Sequence, residues 1–432
     1  MKKTRKKREK GADEPGMPDW KRNLFVLCAG QFLVMAGMTM IVPFLPLYLQ
    51  ELGMDPERDD VALWAGLIFA GNFVTSFIFQ PIWGALADRY GRKIMLLRSG
   101  YGMAAIMALM GFAQDAWHLL VLRVLNGVVS GFVPASVSLM STTAPRERTG
   151  FAMGALQSGG VAGTILGPLI GGWLADRIGF RPIFYVTGAC LFMATTVAWI
   201  VVRERFERRN PSGAPRVSLS GDWRKLVRKP ELPALFAATF FIQFALLGAM
   251  PVLPLYVQKL HGSTADLAFL SGLAGAVTGI SNMISAPLLG RLGDKIGTER
   301  VLFASIVGAA AMSVPQAWCA TVGQLLACRF ALGLFMGGLI PSVNALVRHH
   351  SPEGMVSRAY GFNTSALALG NMVGPVVGGF LSETVGLRSV FWLGGALLAV
   401  NAAWVWATLG RRGGKPSTAG KPPERQSPPG RL

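Results

Sequence analysis

The sequence predicts an all-α integral membrane protein of twelve transmembrane helices in two six-helix bundles. Three observations carry this. Apolar residues make up 51% of the chain and charged residues only 15%, well below the roughly 25% charged share of soluble proteins. The apolar residues fall into blocks of about 20, the length at which a helix crosses a bilayer. A set of short motifs then recurs about half a chain later, in the same order, which marks an internal duplication.

The blocks run near 23–49, 61–83, 94–113, 117–140, 150–175, 181–202, 233–258, 267–289, 300–320, 322–347, 357–382 and 387–409. They group into bundles at 23–202 and 233–409. The basic stretch 203–232 is broken by Asn210-Pro211-Ser212-Gly213-Ala214-Pro215 and reads as the cytoplasmic linker. The ends, 1–22 and 410–432, are rich in charge, Pro and Gly and are expected to be disordered tails. Loops on the other side are short, as in Ala113-Gln114-Asp115-Ala116, so no external domain is expected there.

The net charge of +19 is placed asymmetrically. Of 42 Lys and Arg residues, 35 lie in the tails and the loops on their side, 5 lie in the opposite loops, and Arg123 and Arg329 lie inside spans. This bias puts both termini and the linker in the cytoplasm. It assigns the basic start, Lys2 to Lys10, to anionic lipid rather than to nucleic acid. The first block is too long for a cleavable signal and lacks a small-residue cleavage site. Cys28, Cys190, Cys319 and Cys328 form no CxxC, and four histidines show no metal spacing, so neither a metal nor a cofactor is expected. No Walker sequence is present to couple ATP.

The repeat is most visible in a ten-residue pattern. Gly163-Thr-Ile-Leu-Gly167-Pro168-Leu-Ile-Gly171-Gly172 returns as Gly370-Asn-Met-Val-Gly374-Pro375-Val-Val-Gly378-Gly379, 207 residues on. Glycine and proline weaken helices. Placed at i, i+4 and i+8 they make one close-packing face. Gly84 to Lys93, with Asp88, Arg89, Gly91, Arg92 and Lys93, matches the segment around Asp294. Asp88 can pair with a base or cap a helix, and a pair formed in one conformation only biases a two-state equilibrium. Thr298 and Glu299 stand where the first copy has Arg92 and Lys93, so the second loop is expected to act more weakly. Arg123 matches Arg329; a charge within a span costs ~3 kcal/mol on insertion scales and usually faces the bundle interior. Snorkelling to the outer end is the alternative.

Gly84-x-Leu-Ala-Asp88-Arg89-x-Gly91-Arg92-Lys93 resembles the loop signature of the major facilitator superfamily. Arg123-x-x-x-Gly127 resembles its fourth-helix arginine motif, and the Gly163–Gly172 pattern resembles the antiporter motif of its twelve-span drug:proton antiporters. The resemblance covers about residues 23–409. It implies the major facilitator fold, a bacterial inner-membrane location, and proton-driven export of small amphipathic compounds. It also implies that Asp88 and Arg92 stabilise one access state and that Arg123 takes part in proton handling. Export of one specific metabolite, such as a sugar or siderophore, is the first alternative, and a transport-dead sensor or scaffold the second. The expected partners are the substrate, protons and lipid, with the chain a monomer and not an enzyme.

Amides among aromatics suit varied amphipathic ligands. The candidates for lining the path are Asn72, Phe73 and Gln80 on the second span, Phe240, Gln243 and Phe244 on the seventh, Asn282 on the eighth, and Asn363 and Asn371 on the eleventh. No carboxylate lies at the membrane centre. The proton candidates are Asp88 at the inner end, Asp115, Asp176 and Glu383 at the outer ends, and His118, with Asp88 favoured. The topology has a direct check. Reporter fusions at Arg216 and after Leu432 should both report cytoplasm; a periplasmic signal from either would overturn the twelve-span map.

Overall fold

A computed structural model describes residues 19–55, 59–204, 226, 228–263, 265–352 and 355–410. Most of both expected tails and most of the linker lie outside these residues. Within them run twelve apolar helical spans, from Trp20–Met40 to Ser389–Leu409, six in each half. The protein is therefore a multi-pass membrane protein. Two boundaries move. The first helix begins at Asp19, inside the expected 1–22 tail, and the seventh begins at Glu231, inside the expected linker. Asn23 fixes the first start by donating from Nδ2 to the Arg203 carbonyl at 2.8 Å, joining the beginning and end of the first half on one face. That face is called the linker side below, and the opposite one the distal side.

Two classes of span recur at every third helix. The first, fourth, seventh and tenth are interrupted. The first helix ends at Met40, and a turn leads to a short helix Leu45–Glu51; the seventh ends at Gly248 and continues as Leu253–His261. Pro43 and Pro251 lie within the two breaks, and Pro46 and Pro254 stand in the first turn of the short helices that follow, where a missing N–H leaves no ladder bond unmade. The fourth span splits into Ala116–Val129 and Phe132–Thr143 around Gly131, whose φ of +141° few side chains could adopt. The tenth splits at Gly337 and Gly338.

The second, fifth, eighth and eleventh helices are instead long and continuous: Val61–Tyr90, Thr149–Ile178, Leu267–Ile296 and Val356–Thr384. Each carries one internal proline, respectively Pro81, Pro168, Pro287 and Pro375. Pro168 and Pro375 belong to the repeated pattern, and the helices continue through them.

Each copy of the pattern has two working faces. Gly163, Gly167 and Gly171 face the first span of their own half. A Cβ on Gly163 would overlap the Phe32 carbonyl, one on Gly167 would lie 2.6 Å from the Ala36 carbonyl oxygen, and one on Gly171 would overlap that of Met40. Gly370, Gly374 and Gly378 repeat this against Phe240, Phe244 and Gly248 of the seventh span. The stripe itself is thus packing within a half, where backbones meet because no side chain intervenes. Contact between halves is carried by the neighbouring positions, Pro168, Gly172, Pro375 and Gly379. Gly171→Leu should therefore weaken the first bundle by overpacking, at a cost of about 1–3 kcal/mol. A lowered thermal midpoint in detergent checks this, and an unchanged midpoint would contradict it.

Candidate functional site

The two halves meet along the fifth and eighth spans and along the second and eleventh, most tightly in their distal portions, with Gly279 against Ile165 at mid-seam. A Cβ on Gly172 would overlap the Ala268 carbonyl and come 2.9 Å from Phe269 Cα; one on Gly272 would overlap the Pro168 carbonyl. The second seam mirrors the first. A Cβ on Gly66 would overlap the Pro375 carbonyl, and one on Gly379 would overlap the Ala62 carbonyl and come 2.8 Å from Leu63 Cα. Gln50 and Gln258, 208 positions apart in the repeat, exchange an amide hydrogen bond of 3.2 Å across the distal mouth. Towards the linker side the same four helices have no such contacts. A Cβ on Gly84, Gly150, Gly154, Gly290 or Gly361 would meet nothing within 4 Å. The seams are tight at the distal end and carry no such contact at these five linker-side positions.

The loop motif sits on that open side. Its helix runs to Tyr90, Gly91 turns with φ of +104°, and the next helix starts at Arg92. Asp88 pairs with Arg92 at 3.4 Å, its side chain 73% exposed. Such an exposed pair contributes little to stability. The cap on the following helix comes from elsewhere: Glu204 accepts from the Arg92 N–H at 3.0 Å and the Lys93 N–H at 2.8 Å. Lys93 Nζ donates to the Trp199 carbonyl at 2.7 Å. Arg89 lies over the Tyr90 ring. In the second copy Asp294 is exposed. Sequence reading passed over Glu204 by merging it with the linker; its signal was an acid inside Arg203-Glu204-Arg205, at the end of a span.

Arg123 and Arg329 are 4% and 2% exposed, so neither snorkels. Arg329 is satisfied by neutral groups. Its Nε donates to the Ala274 carbonyl at 2.9 Å and to Thr278 Oγ1 at 3.2 Å, and Nη1 to Gln316 Oε1 at 3.4 Å. Arg123 keeps a buried Nη2 without a protein partner. One turn on, Asn126 donates to Asn72 Oδ1 at 2.9 Å. Near the break in the fourth span, Trp83 Nε1 donates to the Val128 carbonyl at 2.6 Å, and Arg98 stacks 3.6 Å from the Trp83 ring centroid. Neither contact was foreseen from the sequence.

Three lining candidates have partners within their own bundles. Asn72 is buried on Asn126. Asn363 is buried, accepting from Thr239 Oγ1 at 2.7 Å and donating to Asn344. Phe244 is buried against the Gly370–Gly374 stripe. These three hold their own bundles together. Phe73, Phe240, Gln243, Asn282 and Asn371 are half-buried, and Gln80 is exposed. Asn371 keeps an unpartnered buried Oδ1. Among the proton candidates, Asp115 caps its own helix by accepting from the His118 N–H at 2.8 Å, with the His118 ring 3.6 Å away. Asp176 and Glu383 each accept backbone N–H groups from the opposite half at the distal seam.

The sequence profile of the Major Facilitator Superfamily matches residues 27–286 and 268–430. The chain belongs to the major facilitator superfamily. It is 41% identical over 402 residues to the multidrug resistance protein MdtG of Dickeya zeae, covering 93% of this chain and 97% of that one. It is 42% identical over 409 residues to MdtG of Rahnella sp., covering 93% and 98%. Among solved structures it is similar to a bacterial homologue of the human lysosomal transporter Spinster in an inward-facing, unoccupied conformation, with a TM-score of 0.74 at 16% identity over 91% of this chain and 97% of that one. The nucleoside transporter NupG aligns with a TM-score of 0.75 at 14% identity, over 90% of this chain and all of that one. At those identities the likeness establishes the fold.

The exposure of Asp88 gives a two-sided prediction for this major facilitator protein. Asp88→Asn should leave the thermal midpoint unchanged, because the pair is solvated here. It should still lower transport several-fold. Equal transport at equal expression would contradict it.

Proposed function

We propose that this chain exports small amphipathic compounds from the cytoplasm, in exchange for protons, by rocking its halves about a midplane site. The observation that carries the reading is the paired seam. Backbone contact through Pro168/Gly272 and Pro375/Gly66 joins the halves at one end, while Gly84, Gly150, Gly154, Gly290 and Gly361 on the same four helices have no close neighbour at the other. A path open at one end only is what alternating access requires. The likeness to MdtG proteins supports a drug-like substrate class.

The charge bias puts the linker side in the cytoplasm, so the open end faces the compounds to be exported, in a bacterial plasma membrane. A buried arginine with a free donor, Arg123, raises the acidity of any neighbouring acid and favours negative charge on a ligand. It cannot release a proton itself at physiological pH. Asp88 is the acid we assign to coupling, and the chain works as a monomer. The path would be lined by the half-buried Phe73, Phe240, Gln243, Asn282 and Asn371, with Gln80 at its open end.

Inverted membrane vesicles carrying the chain, loaded with a pH-sensitive dye, test this. A panel of amphipathic drugs should release protons from the lumen of energised vesicles, and Asp88→Asn should abolish that release. Response to a single sugar or siderophore would favour the specific exporter. Proton release that persists in Asp88→Asn would place coupling at another group.

A further inference from the structure

The distal seam holds a feature that packing alone does not require. The second and eighth helices both start there, and each is preceded by an aspartate, Asp60 and Asp266, at the position where an aspartate normally accepts from the helix's first N–H groups. Neither does so. The N–H groups are taken by carboxylates from the other half. Asp176, in the last turn of the fifth span, accepts from Ala268 at 3.1 Å and Phe269 at 2.8 Å. Glu383, in the last turn of the eleventh, accepts from Ala62 at 2.8 Å. Asp176 and Glu383 are repeat equivalents, 207 positions apart.

Asp266 bears a mark of the displacement. It is the one non-glycine with positive φ among the described residues, at +54°. A capping residue normally adopts extended backbone, so this aspartate is turned away from the helix it precedes. Both first-turn N–H groups and the helix dipole attract a carboxylate, and two local carboxylates compete for each end.

We propose that the distal gate is a pair of cap-exchange latches. In the closed state Asp176 and Glu383 hold the starts of the eighth and second helices across the seam. When the halves part, Asp266 and Asp60 rotate onto the same N–H groups. No helix end is left unsatisfied in either state, which removes the cost that opening would otherwise carry. Asp176 and Glu383 thus favour the distally closed conformation, and Asp60 and Asp266 the distally open one. The idea rests on the alternating-access reading above.

The test uses the full chain in lipid nanodiscs, with the four native cysteines replaced by alanine. Spin labels at Gln114→Cys and Ala320→Cys, both on exposed distal loops of opposite halves, report the gate by double electron–electron resonance. Asp176→Ala/Glu383→Ala should raise the ratio of long to short distances at least threefold. Asp176→Asn/Glu383→Gln, which keeps an acceptor oxygen, should restore most of the short population. Asp60→Ala/Asp266→Ala should move the ratio the opposite way. If the first pair leaves the distribution unchanged, or if both alanine pairs move it in the same direction as general loosening would, the latch is wrong. A wild-type chain locked at one distance under every condition would instead overturn the alternating-access reading.

Discussion

The structure depends on backbone meeting backbone between the halves. A proline carbonyl presses on a glycine twice, Pro168 on Gly272 and Pro375 on Gly66, and a reciprocal glycine, Gly172 or Gly379, completes each seam. Any Cβ at these glycines would overlap a carbonyl group, so the approach is open to glycine alone. In a membrane this matters more than in water, because lipid is as apolar as a leucine side chain and close packing supplies much of the drive for helices to associate. The same ten residues fix the neighbouring helix of their own half through the other glycine face. One pattern therefore sets both the shape of a bundle and its contact with the other.

The duplication preserved that scaffold and let the chemistry diverge. Arg329 sits among Ala274, Thr278 and Gln316, to which its Nε and Nη1 donate. At the 206-residue offset those positions fall on Ile68, Asn72 and Met110. Met110 offers no amide oxygen where Gln316 supplies one, and Asn72 is engaged by Asn126. A guanidinium so placed keeps a donor in hand, and Arg123 Nη2 is unpartnered. The loop motif diverges in the same way, with Thr298 and Glu299 standing where the first copy has Arg92 and Lys93.

The spans, their number, the repeat and the pattern of glycines were legible in the sequence, because length, apolarity and period are local. What each face touches was not. Gly163 and Gly172 belong to one motif, yet one meets Phe32 of its own half and the other Ala268 of the opposite half. Burial in a membrane leaves no polar stripe to show which side of a helix faces protein and which faces lipid. The same difficulty explains the amides. Asn72 and Asn363 look like lining groups because a polar residue in a span needs a reason, and here the reason is a partner on a neighbouring helix, Asn126 in one case and Thr239 in the other. Asp176 and Glu383 were visible as repeated acids, but what they bind begins 92 and 321 residues away in the chain.

The division of labour among helices follows from the same geometry. The four helices that carry the seams run unbroken for 29 or 30 residues, about 44 Å at 1.5 Å per residue. That is long enough to act as levers across the whole bilayer. The four broken helices place their breaks deep in the bundle or towards the distal side, at residues 41–44, Ser130–Gly131, 249–252 and Gly337–Gly338. A rigid lever transmits a movement at one end to the other. An interrupted helix can absorb the resulting change at its break, since a few φ/ψ angles suffice for a hinge. Separation at the distal seam would therefore draw the linker-side ends of the same levers together. Gly84, Gly150, Gly154, Gly290 and Gly361 now face open space there. Glycine in a long apolar helix lowers its stability, so five vacant positions are costly unless another backbone comes to occupy them in the other state.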